Sequence, residues 1–163
     1  MNKALLDTDI LSSIMRQTPT ALAAAQAYLA EHQKLSISIV TRYEVLRGLC
    51  AKQAKTQIES FNVLCRSLEI MPITDDIVVK AAEIYGVLHR AGQLIGDADT
   101  LIAATCLVSG YDCVTNNTNH MRRVEGLAVS NWLVKEPACR HRGKSEFNRR
   151  TNCRRIPSQA TSL

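Results

Sequence analysis

Three observations predict a three-layer α/β/α fold with a central, mostly parallel sheet. Short apolar strand-like segments alternate with helical stretches over the first 130 or so residues. The apolar segments carry few polar interruptions, as expected of strands buried on both faces. Acidic residues gather where those segments end and where helices begin, which is where parallel sheets bind their ligands.

The elements follow in order. Lys3-Ala4-Leu5-Leu6-Asp7 is a short buried strand ending on an acid, and Asp7 can cap a following helix. Residues 20–33 are Ala-rich and predict a helix, with Leu22 and Leu29 on one face. Leu35 to Ile39 alternates apolar and polar, a strand. Helices are expected over 41–52 and 56–68, then a brief strand at Glu69-Ile70-Met71 stopped by Pro72. Thr74 caps a helix with Ile77, Ala81, Ile84 and Leu88 on one stripe, ending near Gly92. Asp97 is expected to cap a helix running to Ser109 and closed by Gly110. Strands at 112–115 and 127–129 complete the sheet. There are no internal repeats.

Of the 163 residues, 46% are hydrophobic, enough for one domain with its own core, here residues 1–136. Aromatics are only 4%, so Leu, Ile, Val and Ala must fill that core. The net charge of +5 belongs to the C-terminal stretch. Residues 137–163 hold seven basic residues against one acid, Glu146, with almost no apolar periodicity, and are expected to be a disordered basic tail. No apolar run approaches the ~20 residues of a membrane span, and no secretory leader is visible, so a cytoplasmic protein with no membrane partner is expected. The six cysteines are scattered without a CxxC pair, as befits reduced thiols. Cys139, His141 and Cys153 match no standard zinc spacing.

Asp7 and Asp9 follow the first strand, and Glu44 lies in the first turn of the helix after the second. Asp97 and Asp99 open the helix that precedes the strand at 112–115, and Thr115, Asn116 and Asn117 follow that strand. Carboxylates converging from separate segments repel unless a hard cation lies among them, and an all-oxygen set favours Mg2+ or Mn2+. Such a centre serves phosphodiester hydrolysis, where the cation steadies both attacking and leaving oxygens. Each acid also has an ordinary explanation. Helix starts favour Asp97, Asp99, Asp75 and Asp76, Glu44 suits an exposed helix face, and Asp9 suits a cap. His120 reads as a surface-loop residue. The joint placement, more than any single residue, points to a site.

The blocks Leu5-Leu6-Asp7-Thr8-Asp9-Ile10-Leu11, Tyr43-Glu44-Val45-Leu46-Arg47-Gly48, Ile95-Gly96-Asp97-Ala98-Asp99-Thr100-Leu101-Ile102-Ala103-Ala104 and Val114-Thr115-Asn116-Asn117-Thr118 stand in the order found in the PIN-domain family. Residues 124–132 resemble the closing strand of its VapC-type toxins, and the likeness spans roughly residues 3–133. The resemblance implies a magnesium-dependent endoribonuclease, the toxin of a type II toxin–antitoxin pair, cutting RNA and often a tRNA. It implies Asp7, Glu44 and Asp99 as catalytic metal ligands with Asp97 assisting. Thr115, Asn117 and Asp9 would support the ligands or meet the substrate. A cognate antitoxin and a homodimer are implied as partners. Asn117 falls where many relatives carry a fourth acid, and an amide supplies no charge, so a second metal should bind weakly. Met121 replaces a usual Phe at similar volume.

Two other readings fit parts of the pattern. Asp7-Thr8-Asp9 and Gly96-Asp97-Ala98-Asp99 also resemble motifs of haloacid-dehalogenase-like phosphatases, although Leu11 stands where those want Thr or Val. A catalytically decayed PIN domain that only binds RNA or a partner would suit Asn117 and the basic tail, which can contact phosphates.

Overall fold

The computed structural model describes residues 2–134, so the tail expected at 137–163 lies outside the described residues. In chain order the elements are β1 (Ala4–Leu6), α1 (Thr8–Met15), α2 (Pro19–Glu31), β2 (Ser36–Ser38), α3 (Ile39–Ala51) and α4 (Lys55–Cys65). Then come β3 (Glu69–Met71), α5 (Asp75–Arg90), α6 (Asp97–Ser109), β4 (Asp112–Val114), α7 (Thr118–Met121) and β5 (Val129–Ser130). The sheet runs β3-β2-β1-β4-β5, and every neighbouring pair is parallel.

Strand pleating divides the apolar side chains between two layers. Leu5 and Cys113 join a core with Ile77, Ala81, Ile84 and Leu88 of α5 and Ile102, Ala103 and Cys106 of α6. Ala4, Leu6, Ile37 and Val114 face the other way, onto Ile10, Leu11, Ala25, Tyr28 and Phe61 of α1, α2 and α4. Helices therefore cover both faces, the three-layer arrangement expected. The α5 stripe is the one the spacing predicted, and Thr74 caps it by accepting from the Ile77 amide. Gly110 ends α6 at φ 68°, a left-handed turn that suits glycine.

Four local expectations are corrected. Helix α2 buries Ala21, Ala25 and Tyr28, while Leu29 is exposed. The small alanines let the helix approach closely, and the Tyr28 hydroxyl accepts from the Ala4 amide at 3.0 Å, fixing the ring inward. Helix α3 begins at Ile39 with Ser38 as its cap, so Glu44 lies in its second turn. Gly96, not Asp97, is the N-cap of α6. The last strand starts two residues late because residues 124–127 form a turn, closed by the Leu127 amide on the Val124 carbonyl with Gly126 at φ 78°.

Of the cysteines, Cys65, Cys106 and Cys113 are buried, Cys50 is exposed, and all four are free thiols. Among the described residues no helix is long and apolar enough to cross a membrane.

Candidate active site

The chain leaves β1 toward β2 on one side and meets β4 on the other, so the β1/β4 seam is where the direction of winding reverses. Open parallel sheets bind ligands outside the carboxyl ends of strands at such a seam. The register pairs Leu6 with Val114, which brings the following residues, Asp7 and Thr115, side by side. The Asp7 amide donates to the Val114 carbonyl at 2.9 Å, and the Thr115 hydroxyl donates to Asp7 Oδ2 at 2.8 Å. Asp7 is also the N-cap of α1, its Oδ1 accepting from the Thr8 amide at 2.7 Å. Capping and site membership thus coincide in one carboxylate, which is only 6% exposed.

Asp9, in the first turn of α1, accepts from the Asn116 amide at 2.9 Å through Oδ2. Its Oδ1 is buried without a hydrogen-bond partner. Asp99, in the first turn of α6, accepts from the Asn117 side-chain amide at 3.1 Å and lies 3.2 Å from His120 Nδ1. The Asn117 backbone amide in turn donates to the Thr115 hydroxyl at 2.9 Å. Glu44 reaches the same edge from α3. The Thr8 hydroxyl donates to its Oε2, and Arg47 stands 4.0 Å from its Oε1. Asp97 is exposed at the first residue of α6, outside this network.

Asp7 feels the charges of Asp9 and Asp99, and Asp9 feels that of Asp99. Burial pushes the Asp7 carboxyl up to about 6. The Thr115 hydroxyl opposes that rise, the Asp9 charge adds to it, the Thr8 amide opposes it, and Asp99 adds again. Asp9 is also raised, first by burial, against the hydrogen bond from the Asn116 amide, with Asp99 adding. The N-termini of α1 and α6 favour anions here but leave the charge uncompensated.

These residues fit a hard divalent cation. The donors are all oxygen, the carboxylates are crowded, and one carboxylate oxygen is orphaned and buried. Among the described residues, no three His, Cys, Asp or Glu side chains already close into a metal cage.

Of the residues singled out in the sequence, Asp7, Asp9, Asp99, Thr115 and Asn117 are brought together, with Glu44 joined through Thr8. Asp9 is drawn in more closely than its role as a cap suggested. His120 was missed. The available signal was its three-residue spacing from Asn117, which puts both on one side of the short helix α7. Beside Glu44 opens a groove of about 510 Å³ between α1, α3 and α4, lined by Met15, Arg16, Val45, Gly48, Leu49 and Lys52 among others.

Comparison with known proteins agrees with this fold. A family model described as PIN domain matches residues 4–127. The chain is 29% identical over 124 residues to ribonuclease VapC1 of Methanocaldococcus jannaschii, covering 76% of this chain and 82% of that protein. It is 27% identical to the tRNA(fMet)-specific endonuclease VapC of Shigella flexneri, covering 81% of this chain and 99% of that one. Among solved structures, VapBC2 of Rickettsia felis bound to a promoter DNA fragment superposes with a TM-score of 0.71 at 25% identity, over 79% of this chain and 98% of that one.

The raised Asp7 carboxyl has a measurable sign. A carboxyl raised by folding favours the protonated native state, so its contribution is fully present below the unfolded value and is lost as pH climbs through the folded one. From the ordinary 3.8 to about 6, that loss is on the order of 3 kcal/mol. Urea unfolding of metal-free protein should therefore show Asp7 adding stability as pH falls from 7 toward 4. The Asp7→Asn variant should lack most of this rise. Identical pH profiles for the two proteins would contradict the buried, crowded setting of Asp7.

Proposed function

The chain belongs to the PIN-domain family, and from that premise we propose that it is a metal-dependent endoribonuclease, the toxin of a type II toxin–antitoxin pair. The observation that carries the reading is the crowding of Asp7, Asp9 and Asp99 at the winding seam with a buried carboxylate oxygen left over. The ribonuclease names of the relatives support the substrate class, and one relative's name specifies a tRNA. The phosphatase alternative loses its support with the family match.

In this proposal Asp7 and Asp99 hold Mg2+, with Mn2+ as a substitute, and Glu44 completes the acidic edge. The cation supplies positive charge against the charge that develops on the phosphate oxygens during hydrolysis. The chain's own groups set the geometry. Thr115 and the Thr8 amide fix the two oxygens of Asp7, so the carboxylate does not rotate. The Thr8 hydroxyl occupies Glu44 Oε2, leaving Oε1, with Arg47 4.0 Å away, as the oxygen that can orient an attacking water or accept its proton. Asn117 fixes Asp99. Asp97, exposed at the rim, is the residue of this set that can assist only through solvent or substrate.

Cleavage of a structured RNA tests the proposal. Mg2+ should support turnover and EDTA should abolish it. Asp7→Asn or Asp99→Asn keeps the shape but removes a charge, and should lower the rate by about 10²-fold or more, the equivalent of about 3 kcal/mol. Asp76→Asn, at the exposed start of α5, should change little. Turnover that survives EDTA, or Asp99→Asn as active as Asp76→Asn, would sink the mechanism.

An antitoxin partner is part of the same proposal, supported by the solved VapBC2 complex named above. The groove beside Glu44 has an apolar floor of Met15, Val45 and Leu49, suited to an amphipathic segment that directs a basic side chain at the acids. The purified complex at saturating ratio should be inactive. Gly48 lines this groove with open space around it, so Gly48→Phe should fold, block the segment and release activity. Full nuclease activity in the wild-type complex would count against this arrangement.

A further inference from the structure

Among the Phe, Trp and Tyr side chains of the described residues, Tyr43 is the most exposed, at 59%, and it ties down nothing in the fold. Tyr28 is buried and its hydroxyl holds the Ala4 amide, Tyr111 takes a hydrogen bond from Lys3, and Tyr85 stacks on His89. The Tyr43 hydroxyl has no hydrogen-bond partner among the described residues, and no other ring packs on it. What it does meet is Arg47, one turn along α3, whose guanidinium carbon lies 5.4 Å from the ring centroid. The same guanidinium stands 4.0 Å from Glu44 Oε1, the oxygen that the Thr8 hydroxyl leaves free. Ring, guanidinium and carboxylate thus follow one another on the surface of α3, from open solvent to the acidic edge. The helix itself needs no such group. Leu or Ala at position 43 has the higher helix propensity, and a cation–π pair at an exposed site contributes little.

We propose that Tyr43 and Arg47 form a platform on which the base beside the cleaved phosphodiester stacks. The proposal rests on the ribonuclease reading above. Aromatic rings and guanidinium planes are the side-chain surfaces that stack on unpaired RNA bases. These two lie one side chain from Glu44 Oε1, so a base resting on them belongs to a nucleotide next to the phosphate being cut. Arg47 also brings positive charge to a polyanion that otherwise approaches a cluster of acids. The platform fixes where the strand lies without reading a base edge, since every base has a π face.

Three variants test this role. Tyr43→Phe keeps the ring, and Tyr43→Leu keeps apolar bulk without it. Tyr85→Leu removes an exposed ring from α5, in the opposite helical layer, and is the control. Binding of a fluorescent RNA hairpin to the full chain is followed by anisotropy in EDTA and again in Ca2+, then repeated with each loop nucleotide in turn made abasic. Tyr43→Leu should weaken binding roughly tenfold, the order of one base–aromatic stack, while Tyr43→Phe and Tyr85→Leu stay within about twofold of wild type. One abasic position should cost the wild type a similar factor and cost Tyr43→Leu almost nothing more, because both changes remove the same stack. Melting temperature and mass in solution should match wild type in all three variants. Wild-type affinity in Tyr43→Leu would overturn the proposal, as would an equal loss in Tyr43→Phe or Tyr85→Leu. So would the lack of any loop position coupled to Tyr43, or a wild-type chain that binds no hairpin in either condition. A changed mass for Tyr43→Leu would assign the ring to an interface between copies of the chain instead. A wild-type chain that binds the hairpin but never cuts it with Mg2+ would remove the ribonuclease reading while leaving the Tyr43 comparison intact.

Discussion

Asp7 is a carboxylate at the end of a fully buried strand, and the cost of keeping its charge there shapes the rest of the site. An ionised carboxyl removed from water is unfavourable unless donors or an opposite charge replace the lost solvation. The fold provides two donors, the Thr115 hydroxyl and the Thr8 amide, and sets the positive ends of α1 and α6 nearby. Those provisions are offset by Asp9 and Asp99, whose charges push in the same direction as burial. A purely structural cap needs none of this crowding, since one exposed Asp or Ser would satisfy the start of α1.

The sheet order explains how the crowding is assembled from distant parts of the chain. With β1 central, its carboxyl end is flanked by β2, which leads into α3 and Glu44, and by β4, which leads into Thr115, Asn117 and His120. The parallel register of β1 and β4 sets Asp7 beside Thr115, and the Thr115 hydroxyl passes that order on by accepting from the Asn117 amide. Asn117 then reaches Asp99 on α6. A chain of hydrogen bonds therefore links three separate segments around one patch of negative charge, and the Thr8 hydroxyl adds Glu44 from a fourth.

Much of this was legible in the sequence because parallel strands and helix starts leave strong local marks. The apolar run ending on Asp7, the β3 segment stopped by Pro72 and the Ile77–Ala81–Ile84–Leu88 stripe all translate directly into structure. So does the collection of Asp7, Asp9, Asp99, Thr115 and Asn117 at one edge. The misses share a cause, which is that tertiary contacts decide them. Leu29 looks like the buried residue of α2 by hydropathy, yet the close approach of Ala21 and Ala25 and the hydroxyl of Tyr28 select another face. Helix-start preference alone does not separate Asp97 from Asp99; the family resemblance put Asp99 first, and the Asn117 amide engages Asp99 while Asp97 stays exposed. His120 lies in a one-turn helix too short to show periodicity, so only its contacts reveal it.

The proposal that these acids hold a divalent cation is tested most directly by thermal unfolding of the full chain, stripped of metal, at neutral pH with Mg2+ or Mn2+ titrated in. A ligand that binds only the folded state raises the melting temperature with its concentration. Wild-type protein should show a saturable rise with either cation, and Asp7→Asn should start at or above the wild-type melting temperature in EDTA and show little further rise. A wild-type melting temperature indifferent to both cations, or an Asp7→Asn response equal to wild type, would contradict the account.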